Sequence, residues 1–227
     1  MAKLVLFDID GTLILTGGAG GRAMNLAFTD VFGVDRGFDG IPMPGRTDRR
    51  ILEDAIVRAG IVAKDGELGR FRDRYFKRLL EAIHEPGPRK GIMPGVCDLL
   101  DTLAARDDVF LALLTGNYEE AARIKLEHFD LWRYFRCGGY GDEVIDRRDL
   151  FPLVVSRARA AGAPDVIASD VLVVGDTVLD VACAVAAGAR SVAVATGSDD
   201  VETLRKSGAD VVFEDLHDTG AFLKLLE

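Results

Sequence analysis

The sequence predicts an α/β protein in which a parallel, Rossmann-like sheet is sandwiched by helices and an all-helical cap domain is inserted after the first strand. Three observations support this fold class. Short apolar segments alternate with helical segments along the second half of the chain, which is typical of a parallel sheet. Each apolar segment is hydrophobic almost throughout, as expected when helices bury both faces of the sheet. A block in the first half of the chain is helical throughout.

The predicted elements of the sheet domain follow from this alternation. Strands are expected at 4–7, 110–114, 171–174, 191–195 and 211–213, and helices at roughly 95–106, 118–129, 149–161, 178–187 and 199–207. Because strand and helix follow each other in turn, neighbouring strands are expected to run parallel.

The early helical block predicts a second domain. Helices are expected at 22–32, 48–59 and 65–84, and Gly- and Pro-rich breaks lie at 37–45 and 85–95. Such breaks separate elements and can act as hinges. We therefore expect an α/β core domain formed by 1–14 and 90–227, and a helical cap domain at 15–89.

The composition narrows the class of protein. The chain has 227 residues and a formal net charge of −9, which argues against nonspecific binding to nucleic acid or to an anionic membrane. No apolar run approaches the ~18 residues that span a bilayer. The three cysteines are widely spaced and form no CxxC pair, which fits a reducing cytosol. We expect a cytoplasmic protein with neither nucleic acid nor membrane as a partner.

Two carboxylates follow the first predicted strand. Asp8 and Asp10 begin the run Asp-Ile-Asp-Gly-Thr, at the strand end where parallel sheets bind ligands. If the strand persists, both side chains lie on the same side, and they repel each other unless a cation lies between them. One could serve as a nucleophile and the other as an acid/base group. A solvated acidic turn fits the same residues, because Asp-Gly is common in turns.

A second acidic strand end is predicted after 171–174, where the chain reads Gly-Asp-Thr-Val-Leu-Asp. Asp176 and Asp180 would add two carboxylates to the first pair. An oxygen-rich site of this kind suits a hard cation, so the sequence predicts bound Mg²⁺.

Two further segments could bind phosphate. Thr115, Gly116 and Asn117 follow the strand predicted at 110–114 and precede a helix, where hydroxyl, amide and free N–H groups bind anions. The same residues could simply cap that helix. Arg147 and Arg148 lie just before another predicted helix, and an arginine can bind phosphate oxygens with its planar guanidinium group.

Together these motifs resemble those of the haloacid dehalogenase superfamily. The shared pattern is DxDGT at 8–12, TGN at 115–117, a basic residue before a helix, and GDTxxD at 175–180. Their order and spacing are similar to the phosphatase branch, and to phosphoglycolate phosphatases in particular. The resemblance covers the whole chain, including the helical cap.

The resemblance implies a magnesium-dependent phosphatase that hydrolyses a small-molecule phosphate monoester, similar to phosphoglycolate, through an aspartyl-phosphate intermediate. Asp8 would attack phosphorus, and Asp10 would protonate the leaving alcohol and later activate water. Mg²⁺ would be held by Asp8, by the backbone carbonyl of Asp10 and by Asp176, with Asp180 in support. The expected partner is a small phosphorylated metabolite.

The resemblance also assigns the remaining two motifs. Thr115, together with backbone amides near Gly116 and Asn117, would hold the transferring phosphoryl group. Most of the family has lysine at the basic position, often followed by proline, whereas this chain has two arginines. We expect Arg147 to fill the role, with Arg148 as the alternative.

Substrate choice is expected to depend on the cap. Arg46 lies in a Gly-Arg-Thr-Asp run at a predicted loop-to-helix junction. Cap closure could bring its guanidinium over the phosphate pocket, where it would bind a substrate carboxylate. A plain helix start capped by Thr47 or Asp48 accounts for the same residues, and both interpretations stay open.

Two other functions fit parts of the pattern. A phosphomutase of the same superfamily would use the same residues. A non-enzymatic phospho-receiver module also has an acidic pocket with a threonine and a cation, but it needs neither an inserted cap nor the second acid at Asp10. Dehalogenation is disfavoured, because halide displacement needs neither Mg²⁺ nor that acid.

Overall fold

A parallel sheet of six strands lies at the centre of the computed structural model, which describes residues 3–227. In chain order the strands are β1 (Lys3–Phe7), β2 (Ile14–Leu15), β3 (Gly91–Ile92), β4 (Val109–Leu114), β5 (Gly138–Gly139), β6 (Val171–Gly175), β7 (Arg190–Val194) and β8 (Val211–Phe213). The sheet order is β5-β4-β1-β6-β7-β8, and β2 pairs with β3 in a separate antiparallel ladder.

Helices connect and cover these strands. They are α1 (Ala19–Phe32), α2 (Asp48–Arg58), α3 (Glu67–Ala82), α4 (Val96–Ala104), α5 (Glu119–His128), α6 (Leu150–Ala160), α7 (Val178–Ala187), α8 (Val201–Lys206) and α9 (Thr219–Leu223). Within residues 3–227, no helix combines the length and the apolar character needed to cross a bilayer.

The sheet is buried on both faces, which confirms the predicted parallel sheet sandwiched by helices. Alternate residues of β1 enter different apolar clusters: Val5 and Phe7 pack with α4, α5 and α9, whereas Leu4 and Leu6 pack with α6 and α7. All four side chains are at most 1% exposed. Burial of each such side chain contributes about 1.5–3 kcal/mol to stability, so this two-sided core fixes β1 firmly between β4 and β6.

Helices α1, α2 and α3 form a separate layer with their own apolar cluster. Phe28 of α1 and Phe71, Tyr75 and Leu79 of α3 are fully buried there, and Ile124 of α5 joins them from the sheet domain. The helix α1 begins three residues earlier than predicted because Gly18 adopts a left-handed conformation (φ 81°) that starts it at Ala19.

The short β2–β3 ladder joins this layer to the sheet domain. Ile14 pairs with Ile92 and Leu15 with Gly91, so the outgoing and returning chain segments lie side by side. The predicted domain boundaries, 14/15 and 89/90, fall at this ladder. The division into a core and a cap domain stays a prediction.

Among residues 3–227, the short elements β2, β3, β5 and α9 go beyond the predicted set, as do short 3₁₀ turns at Trp132–Tyr134, Ala168–Asp170 and Lys224–Leu226. A two-residue strand cannot show a periodic pattern, and β5 consists of Gly138 and Gly139, which have no side chains. Its pairing is set by its neighbour, because Leu113 and Leu114 of β4 provide the register. Such elements depend on tertiary contacts rather than on local sequence.

Candidate active site

The acidic residues of the two predicted strand ends meet at one edge of the sheet. Asp8 follows β1 and Asp176 follows β6, which are adjacent parallel strands. Asp8, Asp176 and Asp180 are buried, and each offers a carboxylate oxygen within 4.8 Å of the others. The structure therefore brings together the three predicted metal-binding carboxylates. Asp10 lies two residues beyond Asp8 on the same loop.

Arg147 lies inside this cluster. It sits in a short 3₁₀ turn before α6, with Nη2 at 3.2 Å from an oxygen of Asp8 and 2.5 Å from an oxygen of Asp180. Although burial works against its charge, the carboxylates of Asp180 and Asp8 raise the pKa of Arg147 above its ordinary value. Arg148 points elsewhere: its side chain is 61% exposed and pairs with Asp146. Of the two predicted candidates, only Arg147 reaches the site.

Asp176 is enclosed by close backbone contacts. Its Oδ2 accepts a hydrogen bond from the Ser198 N–H at 3.0 Å. Gly11 packs so tightly against it that a Cβ there would lie 2.5 Å from Oδ2, and its φ of +85° also favours glycine. Burial, followed by the carboxylates of Asp180 and Asp8, raises the pKa of Asp176 to about 8. A nearby cation would relieve this repulsion.

Asp180, in the same cluster, stabilises the start of α7 and holds Arg147. It forms a capping box with Thr177 at the start of α7, accepting from the Thr177 N–H and hydroxyl through Oδ2. Its other oxygen accepts from Arg147. Burial raises the pKa of Asp180 despite the opposing charge of Arg147. Because both oxygens are engaged, Asp180 fixes the position of Arg147. Its expected support of the metal stays a prediction.

The charge of the cluster fits a divalent cation. When ionised, the three carboxylates of Asp8, Asp176 and Asp180 carry two more negative charges than the single guanidinium of Arg147 offsets. The ligand atoms are hard carboxylate oxygens, which Mg²⁺ prefers. A buried excess of negative charge is costly unless it is paired, so these residues suit a bound Mg²⁺.

Asp10 has partners that the sequence did not reveal. Its carboxylate is 40% exposed and accepts hydrogen bonds from Lys125 Nζ at 2.6 Å and Asn117 Nδ2 at 2.9 Å. Lys125 also donates to Asn117 Oδ1 at 2.6 Å and is almost fully buried. A signal was present, because Lys125 lies four residues after Ala121 and just before Leu126, on the buried face of α5.

The predicted phosphate loop is packed against the start of α2. Thr115 is fully buried, and its Oγ1 accepts from Asn117 Nδ2 at 2.8 Å. Gly116 and Asn117 line a cavity above the acidic cluster, whereas Thr115 is behind them. A Cβ on Gly116 would lie 2.1 Å from the Arg46 carbonyl oxygen, so only glycine allows the two segments to approach this closely.

Asp48 links the helical layer to that loop. Its N–H donates to the Gly116 carbonyl at 2.7 Å, and its Oδ2 accepts from the Tyr118 N–H at 2.9 Å. Burial raises the pKa of Asp48 to about 7, and the charge of Lys125 opposes this rise. The sequence indicated only a helix cap at this position; Thr47 is in fact the cap of α2.

The cavity has a volume of about 370 Å³ and opens over Asp8 and Asp10. Residues of the sheet edge line one side and residues of the helical layer line the other, among them Met24 of α1 and Tyr75 of α3. A space of this size and position could hold a small phosphate ester, with its phosphate at the acidic cluster and its alcohol part facing the helices.

Arg46 lies at the cavity wall, but its guanidinium has other partners. Nη2 pairs with Asp54 at 2.5 Å, and Nη1 donates to the Pro42 carbonyl at 2.9 Å. The hydrogen bond from Arg46 holds the pKa of Asp54 below its ordinary value. The structure therefore places Arg46 near the predicted substrate space while its charge is neutralised within the helical layer.

Comparison with known proteins gives the class of the protein. The family model of haloacid dehalogenase-like hydrolases matches residues 5–185. A phosphoglycolate phosphatase of Rhodospirillum rubrum is 32% identical over 98% of this chain and 91% of its own length. Phosphoglycolate phosphatase 1 of Pseudomonas aeruginosa is 28% identical over 96% of this chain and 78% of its own length. The chain therefore belongs to the haloacid dehalogenase-like hydrolase family, and within it to the phosphatases.

Solved structures of low identity share the fold. A protein described as a predicted phosphoglycolate phosphatase from Haemophilus somnus superposes with a TM-score of 0.72 at 22% identity, covering 100% of this chain and 98% of that one. CbbY from Rhodobacter sphaeroides, solved in complex with phosphate, gives a TM-score of 0.72 at 20% identity, covering 97% of each chain.

Proposed function

We propose that the chain is a magnesium-dependent phosphatase that hydrolyses a small phosphate monoester similar to phosphoglycolate through an aspartyl-phosphate on Asp8. The observation that carries this proposal is the arrangement of Asp8 beside Arg147 and Asp176, with Asp10 facing the same cavity. The names of the relatives support phosphoglycolate as the substrate class.

In the first step a carboxylate oxygen of Asp8 attacks phosphorus, and the bond from phosphorus to the alcohol oxygen breaks. Asp10, in its acid form, gives its proton to the departing oxygen. In the second step Asp10, now a carboxylate, takes a proton from a water molecule that attacks phosphorus. The bond to Asp8 then breaks and inorganic phosphate is released.

Mg²⁺, held by Asp8, the backbone carbonyl of Asp10 and Asp176, would offset negative charge on the phosphoryl group and on the carboxylates. The protein's own residues supply the positioning on which phosphoryl transfer depends. Arg147 holds the side chain of Asp8, and Asp180 holds Arg147.

Lys125 and Asn117 orient the acid/base group. Both donate to Oδ2 of Asp10, which leaves Oδ1 free to exchange a proton with the alcohol or with water. In the 115–117 loop, the Thr115 N–H donates to the Gly139 carbonyl and the Asn117 N–H donates to Thr115 Oγ1. The N–H of Gly116, which lines the cavity, is the group of this loop that could bind a phosphoryl oxygen.

A panel of phosphate esters assayed with Mg²⁺ and with a chelator tests the proposal. We expect Mg²⁺-dependent release of inorganic phosphate, highest for phosphoglycolate and other small carboxylated esters, and none from Asp8→Asn. Full activity after chelation would contradict the metal assignment. Conversion of a sugar phosphate to its isomer without release of phosphate would indicate a mutase instead.

A further inference from the structure

Within residues 3–227, two side chains on the cavity wall, those of Tyr75 and Arg147, have a buried polar atom without a hydrogen-bond partner. Tyr75 of α3 is fully buried and lines the cavity, yet within residues 3–227 its hydroxyl makes no hydrogen bond. Buried hydroxyl groups are almost always hydrogen-bonded. Burial, followed by the charges of Asp48 and Asp10, raises the pKa of Tyr75 well above 10, so the hydroxyl keeps its proton and can donate it.

Two further donors share the corner of the cavity where this hydroxyl lies. A Cβ built on Gly20 would lie 3.5 Å from Lys125 Nζ and 3.8 Å from Tyr75 Oη, so both groups flank this glycine. The absence of a side chain at Gly20 keeps the corner open. Gly20 and Gly21 belong to the first turn of α1, where backbone N–H groups have no partner inside the helix.

Lys125 has a donor to spare. Its ammonium carries three N–H groups, and its polar contacts are one with Asp10 and one with Asn117. The third N–H is available for a ligand oxygen in the same corner. The corner therefore combines a neutral donor, a cationic donor and a helix start that carries no acidic residue in its first turn.

We propose that Tyr75, Lys125 and the first turn of α1 form the subsite for the leaving group, and that it binds a carboxylate on the alcohol part of the substrate. A carboxylate offers two acceptor oxygens to the facing donors. The inference rests on the proposed function and assigns its specificity to Tyr75 rather than to Arg46. Arg46 is the weaker candidate because Asp54 and the Pro42 carbonyl already occupy its guanidinium.

Binding of a stable analogue tests the subsite without turnover. The probe is the phosphonate in which a methylene replaces the ester oxygen of phosphoglycolate, and its reference is propylphosphonate, which lacks the carboxylate. Calorimetry on the Mg²⁺-loaded wild type and Tyr75→Phe gives the affinity for each. We expect Tyr75→Phe to bind the carboxylated probe roughly tenfold to a hundredfold more weakly, with the affinity for propylphosphonate changed less than about threefold.

Tyr118→Phe is the matched control. It removes a hydroxyl from the same aromatic cluster at a residue outside the cavity lining, so both affinities are expected to stay within about threefold of wild type. An equal loss for the two probes in Tyr75→Phe, or no loss for either, overturns the subsite. If neither probe loses affinity and the melting temperature of Tyr75→Phe changes, the hydroxyl stabilises the fold through a buried water molecule.

Kinetic measurements distinguish the subsite proposal from the proposed phosphatase function on which it rests. Absence of Mg²⁺-dependent turnover in the wild type would contradict the proposed function. The calorimetric affinities would still show whether the corner binds a carboxylate. If turnover is present, Tyr75→Phe is expected to lower kcat/KM for phosphoglycolate by a similar factor and to leave p-nitrophenyl phosphate nearly unaffected.

Discussion

Lys125 and Asp10, which are 115 residues apart in the chain, form an ion pair of 2.6 Å on the floor of the cavity. The lysine comes from the buried face of α5, and the aspartate comes from the loop after β1. This pair holds the group to which the proposed mechanism assigns proton transfer. It also connects the chemistry at the sheet edge to the corner that contains Tyr75.

The first prediction concerns this pair. Lys125→Met keeps a long apolar stem but removes the charged one of the two donors that orient Asp10. Proton transfer to a poor leaving group should therefore slow by roughly tenfold or more. The measurement is single-turnover release of the alcohol from an alkyl phosphate. Release of p-nitrophenol is the internal control, because this leaving group needs no proton. Equal slowing of both would assign Lys125 to general phosphate binding.

The second prediction separates the two neighbouring arginines. Arg147→Ala leaves the buried carboxylates of Asp8 and Asp180 without their cation. It should therefore lower kcat/KM by roughly tenfold to a hundredfold. It should also reduce the free energy of unfolding by about 3–5 kcal/mol. Arg148→Ala is the matched control, since that side chain is exposed, and this variant should be nearly as stable as the wild type. The measurements are kcat/KM and the free energy of unfolding in denaturant, for both variants. The reverse ranking would move the basic role to Arg148.

The third prediction links the acidic cluster to metal and pH. Burial and the neighbouring carboxylates raise the pKa of Asp176 to about 8. A carboxyl whose folded pKa is raised stabilises the fold while it is protonated, and this stability is lost as the pH rises toward that pKa. The melting temperature in chelator should therefore fall between about pH 5 and pH 8, and Mg²⁺ should raise it most at about pH 8.

Asp176→Asn is the control for that experiment. The amide removes one charge and one metal ligand, so the Mg²⁺-dependent rise should largely disappear while the decline in chelator becomes shallower. A Mg²⁺ effect of equal size at all pH values and in both proteins would contradict the assignment of the metal to this cluster.

The fourth prediction isolates Asp48. Its pKa of about 7 arises from burial, so the stability of the fold should fall as the pH rises from about 4 toward that pKa. Asp48→Asn stays neutral and can still accept from the Tyr118 N–H. Saturating Mg²⁺ is added to neutralise the carboxylates of Asp8 and Asp176, and the two proteins should then have similar stability near pH ~4. The variant should be more stable by about 2–4 kcal/mol above pH ~8. Parallel stability curves would show that Asp48 does not titrate in this range.

The fold and part of the site could be predicted because their signals are local. Continuous apolar runs reveal strands such as β1 and β6, and the acids that follow them, Asp8 and Asp176, lie where parallel sheets bind ligands. Because β1 and β6 are adjacent parallel strands, the acids that follow them lie at the same edge of the sheet. Three of the four predicted carboxylates, those of Asp8, Asp176 and Asp180, therefore meet in the structure. The carboxylate of Asp10 instead pairs with Lys125 and Asn117.

The remaining site residues could not be predicted in the same way. Asp48 and Tyr75 lie on helices where ordinary helical patterns account for them locally. Lys125 differs only as a lysine on the buried face of α5, which indicates a buried partner but not which residue it is. Their importance arises where three distant helices converge on one cavity. Arg46 shows the converse: its position beside a loop glycine favoured a substrate contact, and no local pattern indicated its pairing with Asp54 in the second turn of α2.

The central claim is that Asp8 carries the phosphoryl group, and rapid quenching with a ³²P-labelled ester tests it most directly. Acid quenching within a single turnover, followed by tryptic digestion and mapping, should place the label on the peptide at 4–22, which contains Asp8. The Asp8→Asn protein should show neither label nor turnover while it melts near the wild-type temperature. Label on a different peptide, or activity of Asp8→Asn within roughly tenfold of wild type, would contradict the account.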